Sequence, residues 1–207
     1  MKYKDYLEKN HSFDKKTMLG IFCMIIVIGG VFGFLYEYLF YFFNGGMKEF
    51  YYRGGNFLPW INIYATGSVM IYILTYKYRK SPLKVFLISV ISTGLLEYFS
   101  GLGIYIIGDG LRYWDYNTEI LNFGNINGFI CLRSVMFFAL SALLLMYVIV
   151  PFCFHVANKS NKKVFLIVTI SICSIFLADE FYNLIFTKLF NLPKATTIYK
   201  SIGIHYM

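Results

Sequence analysis

The chain has 207 residues, of which 58% are hydrophobic and 14% charged, with a mean hydropathy of +0.59. Soluble domains carry about 25% charged residues, so this composition excludes an ordinary water-soluble fold and leaves no room for a separate soluble domain. The net charge of +8 does not imply nucleic-acid binding, because the lysines flank apolar runs and form no soluble basic face.

Residues 1–17 form a basic tail with five lysines and three acids. The apolar run that follows is longer than the h-region of a cleavable signal, about 7–15 residues, so the first span is expected to stay as an anchor. Five apolar runs reach or approach the roughly 20 residues needed to cross a bilayer. They cover residues 18–43, 58–76, 83–107, 128–154 and 164–190. Pro59 is expected in the first turn of the second span, where a missing amide is tolerated. The expected fold is all-α: a polytopic transmembrane helix bundle of about five spans. Its transmembrane domain covers 18–190 and a C-terminal tail covers 191–207.

Twelve of the 19 Lys and Arg residues fall in the N-terminal tail, around 77–84 and around 159–163. Positive loops stay in the cytoplasm, so the N-terminus is expected inside and the C-terminus outside. The tail carries Lys188, Lys194 and Lys200, which leaves a second topology open: a fifth span broken at Asp179-Glu180 that returns the tail to the cytoplasm.

Four acids lie inside the spans: Glu37, Glu97, Asp179 and Glu180. Each costs about 2.5–3.5 kcal/mol at a lipid-facing helix centre, so each is expected to face protein, a polar partner or water. Gly30, Gly33 and Glu37 share one helix face, as do Gly94, Glu97 and Gly101. Small residues let membrane helices approach closely, which points Glu37 and Glu97 into helix contacts.

Two loops carry the remaining polar chemistry, RGGNFLPWINIY at 53–64 and RYWDYNTEILNFGNINGFICLR at 112–133. Arg53, Arg112 and Arg133 offer planar forks for carboxylate or phosphate. Trp114, Asp115, Asn125 and Asn127 complete the candidate binding set with the four acids. Trp60 and Trp114 also fit interfacial anchoring. Glu37 precedes Arg53 by 16 residues and Glu97 precedes Arg112 by 15, a faint repeat of two parallel hairpins around one site. The alternative is structural: the arginines neutralise the acids as internal ion pairs. Cys23, Cys131, Cys153 and Cys173 lack metal-ligand spacing, and His11, His155 and His205 do not converge, so no metal and no cofactor is expected.

Glu37, the 53–64 loop, TGLLEYFSG at 93–101, YWDY at 113–116 and NINGFICL at 125–132 resemble the putative ABC-transporter permease family, type IV, a group of small bacterial membrane proteins. The resemblance covers roughly 33–151. The chain departs from the family pattern at Asn62-Ile63-Tyr64-Ala65, where Pro-Ile-Tyr-Gly is usual, and at Asn117, where Ser is usual. The spacing from Trp-Asp-Tyr to Asn-x-Asn-Gly is a few residues longer. Phe129 stands where an Arg commonly follows the Gly of NING, and Arg133, one helical turn on, is expected to replace it.

The resemblance implies a multi-pass subunit of a bacterial cell membrane that works with a separate ATPase. No GxxxxGK[ST] occurs in the chain. Five spans are few for a permease, so a homodimer or partner subunit is also expected. The transport reading competes with two others. One is an intramembrane enzyme acting on a lipid headgroup or lipid-linked substrate, with Glu97 or Asp115 as base and Arg53 or Arg112 on phosphate. No familiar catalytic constellation supports it. The other is a structural or regulatory membrane subunit.

Overall fold

The computed structural model describes residues 3–8, 13–44 and 54–204. Among the described residues the chain is all-α, with a single isolated bridge between Ile126 and Ile130. The helices are α1 (Tyr3–Glu8), α2 (Lys15–Asn44), α3 (Asn62–Thr75), α4 (Pro82–Ile107), α5 (Leu132–Leu144), α6 (Val150–Lys159), α7 (Lys162–Phe181), α8 (Thr187–Leu189) and α9 (Ala195–Ser201). A π-turn, Leu145–Ile149, joins α5 to α6, and another, Tyr182–Phe186, joins α7 to α8. Four helical stretches are long and apolar enough to cross a membrane: Lys15–Phe43, Pro82–Ile107, Leu132–Lys159 and Lys162–Leu189.

Three boundaries differ from expectation. The second span starts at Asn62, so Pro59 lies in a loop and not in a helical turn. Fourteen residues rise about 21 Å, short of the roughly 30 Å hydrocarbon core. The fourth span starts at Leu132 and not at 128, because Asn127 (φ 56°) and Gly128 (φ 76°) occupy the left-handed region that a right-handed helix cannot use. Cys131 and Ser134 then start α5 with a reciprocal capping box. The fifth span is not broken at Asp179-Glu180. Both residues are helical, and the irregularity is the π-turn that begins at Tyr182.

The chain divides into two compact units: residues 1–11 with 70–152, and residues 12–69 with 153–207. Each is described by itself.

In the 12–69/153–207 unit, α2 and α7 run parallel. Asp14 and Lys162 pair at their starts (2.8 Å), Gly20 sits against Phe165 and Thr169, and Gly30 faces Phe176. The hydrogen bonds from Lys162 and then Thr17 hold the exposed Asp14 carboxyl down at about 2. Helix α3 is antiparallel to α2, with Gly29 against Ser68 and Gly33 against Tyr64. Trp60, Ala65 and Phe176 form a buried cluster with Ile26, Val27 and Val31 around it.

A Cβ on Gly33 would collide with the Cβ and ring of Tyr64, atoms too close to the backbone to swing aside. Gly33→Ala is therefore expected to destabilise by about 1–3 kcal/mol through overpacking. Gly103→Ala on α4, whose Cβ meets nothing within 4 Å, should gain up to about 1 kcal/mol in helix propensity. Thermal melts of the two variants in one detergent test this contrast; equal shifts would contradict the α2–α3 packing.

In the 1–11/70–152 unit, α4 and α5 run antiparallel, with Gly94 against Val135 and Glu97 against Ser134. At the end of the unit that holds the 76–81 turn, Arg79 is buried, although its sequence context suggested only a topology signal. Its Nε donates to the Tyr6 carbonyl (3.0 Å), its Nη1 donates to the Tyr76 carbonyl (3.0 Å), and it lies over the Tyr76 ring at 4.3 Å. The Tyr6 hydroxyl donates to the carbonyl of Met146 (2.7 Å) in the first π-turn. A π-turn disturbs the regular i to i−4 ladder, and here one of its carbonyls takes a bond from α1.

Candidate functional site

Glu97 lies past the middle of the 26-residue α4 and is 3% exposed. Its neighbours on the same face are glycine and threonine, so the adjacent elements come close. The Tyr116 hydroxyl donates to Oε1 at 2.5 Å and the Ser134 hydroxyl to Oε2 at 2.8 Å. Among the described residues no arginine forms an ion pair with Glu97. Ser134 stands in the first turn of α5, which brings the partial positive charge of a helix N-terminus beside the carboxyl. Burial first, and then the Glu97 charge, hold the Tyr116 phenol above its ordinary value, so Tyr116 remains the donor.

The loop 108–131 carries Tyr116 to this position. Trp114 and Phe129 pack on Gly101, with the Trp114 Nε1 donating to the Phe129 carbonyl (2.9 Å). Asp115 Oδ1 accepts from the Asn117 amide and side chain, Asn117 Oδ1 accepts from Asn125, and Asn125 Oδ1 accepts from the Gly128 amide. Asn127 donates to the Tyr98 hydroxyl. A side chain at Gly128 would strike Asn117, Asp115 and Arg112, so both φ and space require glycine there. The Trp-Asp-Tyr and Asn-x-Asn-Gly motifs thus stitch one loop together: the candidate residues Asp115, Asn125 and Asn127 are bonded to the loop itself or to α4.

The arginines go elsewhere than the sequence suggested. Arg112 lies over Phe129 (4.5 Å) and Tyr105 (4.9 Å), donates to the Asn127 carbonyl and approaches Asp115 at 3.6 Å. Arg133 pairs with Glu119 at 2.6 Å and lies 5.4 Å from the Tyr116 ring. Their aromatic and carboxylate partners are local because both arginines border the same folded loop. Arg133 also cannot stand in for Phe129 by helical equivalence, since Phe129 precedes α5.

Asp179 and Glu180 form a second centre, in the other unit. Asp179 Oδ1 accepts from the Phe57 amide (2.9 Å) and Asn183 Nδ2 (2.9 Å), and Oδ2 accepts from the Leu58 amide (2.9 Å) and Trp60 Nε1 (3.0 Å). Four donors fill the lone pairs of a carboxylate. Glu180 Oε1 accepts from Asn56 at 2.7 Å. This loop reaches halfway down α2, where the Ile61 amide donates to the Gly30 carbonyl (3.0 Å). Irregular backbone at membrane depth persists only where protein satisfies it; Asp179 does that here directly, and Glu180 holds Asn56, which donates to the Trp60 carbonyl (3.3 Å). Trp60 is therefore a buried donor and not an interfacial anchor.

The C-terminal tail closes over the same loop. Tyr199 donates to the Phe57 carbonyl, Ala195 N–H donates to Asn183 Oδ1, and the Phe57 ring lies between Tyr182 and Tyr199. The acid that serves the described part of the first loop is thus contributed by α7. Glu37 is half-buried on α2, and Arg53 lies outside the described residues. The partners that sequence reasoning missed are Tyr116, Ser134, Asn56 and Asn183. Tyr116 sits inside a motif that was singled out; Ser134 and Asn183 carry no local signal.

Residues 24–184 match the model of a family described as "Putative ABC-transporter type IV". No curated protein and no solved structure matches the chain.

Proposed function

Because the chain belongs to the family described as "Putative ABC-transporter type IV", we propose that it is a membrane subunit of a transport system, with Glu97 as the polar group that meets the cargo. The observation that carries this reading is a carboxyl near the middle of a span whose hydrogen-bond partners among the described residues are two neutral hydroxyls. Intramembrane ionisable groups mark ion and solute pathways. The tyrosine partner rides on a loop and the serine partner on a helix start, so withdrawal of the loop would free one carboxylate oxygen without disturbing α4. With Arg112 and Arg133 engaged elsewhere, the centre suits a cation or protonated amine better than an anion.

The energy source in this reading is a separate ATPase, and the basic segments around 77–84 and 159–163 face it from the cytoplasm. The test is purification of the full-length chain from its native membrane, followed by reconstitution with whatever ATPase accompanies it. Uptake that needs both ATP and Glu97 supports the reading. Recovery of no ATPase, or unchanged uptake by a folded Glu97→Gln variant, removes it.

A structural role is favoured for the second centre. Asp179 has no lone pair left for a ligand and Glu180 holds Asn56 of the same loop, so this centre serves the loop, and we assign cargo contact to Glu97.

A further inference from the structure

Residues 119–126 present an inverted surface. The one charged side chain of this part of the loop, Glu119, is turned to Arg133 and paired at 2.6 Å. Asn122 is likewise turned to the Tyr116 carbonyl at 2.9 Å. The large apolar side chains point out instead: Ile120 is 50% exposed, Leu121 57%, Phe123 57% and Ile126 51%. Leu121 also holds φ at 54°, a left-handed conformation that a bulky residue rarely adopts. Four large apolar side chains exposed within eight residues are unfavourable in water, and no charged residue follows Glu119 within 119–126 to break the apolar surface.

The depth of this surface says what covers it. The Leu132 amide donates to the Phe123 carbonyl, and Leu132 also packs on Gly124, so the segment wraps the first turn of α5. That first turn is level with Glu97 through the Ser134 bond. Glu97 lies ten residues before the end of α4, or about 15 Å inside it at 1.5 Å per residue. The fringe is therefore level with the apolar body of α4, and Leu132, which it touches, is itself exposed.

We propose that Ile120, Leu121, Phe123 and Ile126 contact lipid acyl chains, so that residues 119–126 are a membrane-embedded part of the loop, held at the depth of Glu97, and not an aqueous turn. The inference uses membrane embedding and loop geometry only; it stands whether or not Glu97 meets a cargo. A loop wedged in lipid would also exclude water from the direction it covers.

The test adds one tryptophan at a time, Leu121→Trp and Phe123→Trp, to the full-length protein in nanodiscs, with Lys159→Trp at the end of α6 as the aqueous control. The native protein supplies the background emission to subtract. The expected result is blue-shifted added emission at 121 and 123, lost to brominated lipid and untouched by iodide, with the reverse at 159. Quenching by iodide at 121 and 123 would show an aqueous loop and overturn the proposal. Blue-shifted emission that neither quencher reaches would show a second copy or partner subunit on the fringe, and would overturn it as well. Ile120→Trp and Ile126→Trp provide the same readout if either first variant fails to elute as a folded species.

Discussion

Replacing Asp179 with alanine is expected to cost about 4 kcal/mol, at the low end of about 1 kcal/mol for each of four donors left without a partner. The donors are the Phe57 and Leu58 amides, the Trp60 indole and the Asn183 amide group. None can turn to water easily, because the loop they hold lies at mid-helix depth beside Gly30. The sharper test is Asp179→Asn, usually a mild change. Asparagine offers one carbonyl oxygen where the site needs two acceptors, and its NH2 must face either Leu58 and Trp60 or Phe57 and Asn183. Turning the amide over only exchanges which pair is opposed. The asparagine variant should therefore melt nearly as early as the alanine variant, by about 2–4 kcal/mol below the parent on the same scale. A melt matching the parent in either variant would show that the acid is not the clamp of the loop.

Glu97→Gln should behave in the opposite way. The Gln carbonyl can still accept from Tyr116, and its NH2 can donate to Ser134 Oγ. That hydroxyl can in turn give its hydrogen to the Cys131 carbonyl, already 2.9 Å away. Every polar group keeps a partner, so stability should change by less than about 1 kcal/mol. The charge is lost, and with it the interaction that the proposed cargo would make. Uptake should fall at least about tenfold, the factor that corresponds to about 1.4 kcal/mol of lost interaction. Glu97→Leu, which strands the buried Tyr116 hydroxyl, should lose stability too. Comparing uptake with thermal melts across the pair separates the two effects. If Gln and Leu melt alike and transport alike, Glu97 has no role beyond packing.

These two carboxyls show what a membrane sequence makes legible. The long apolar runs located the helices to within a few residues, because lipid demands continuous hydrophobicity and internal backbone bonds. The acids stood out for the same reason. Their roles were not legible, because the partners are far away in sequence: Phe57 and Asp179 are 122 residues apart, Glu97 and Ser134 are 37 apart. The Arg- and Asn-bearing loops were read as ligand-facing for an understandable chemical reason. The donors and acceptors that would hold a solute are those that hold a folded loop, and only the fold decides which. At Asn117, Asn125 and Gly128 it decides for the loop; at Tyr116 the loop ends on a carboxyl.

The start of α3 at Asn62 has the same origin. Residues 57 and 58 are apolar enough to continue a helix toward their N-terminal side, yet their amides are taken by Asp179, and Pro59 has none to give. Gly54, Gly55 and the Leu58-Pro59 step already disfavour helix, and a partner from the far end of the chain holds the loop that results.

That partner also sets a schedule. Synthesis proceeds from the N-terminus, so residues 57 and 58 leave the ribosome long before residue 179 is made. Until the last span arrives, the amides of the first loop have no acceptor from Asp179, and a chain cut short before α7 carries an unfinished surface into the bilayer. The last span to be translated thus completes the first hairpin, and a nascent or truncated chain is distinguishable from a finished one by that surface alone.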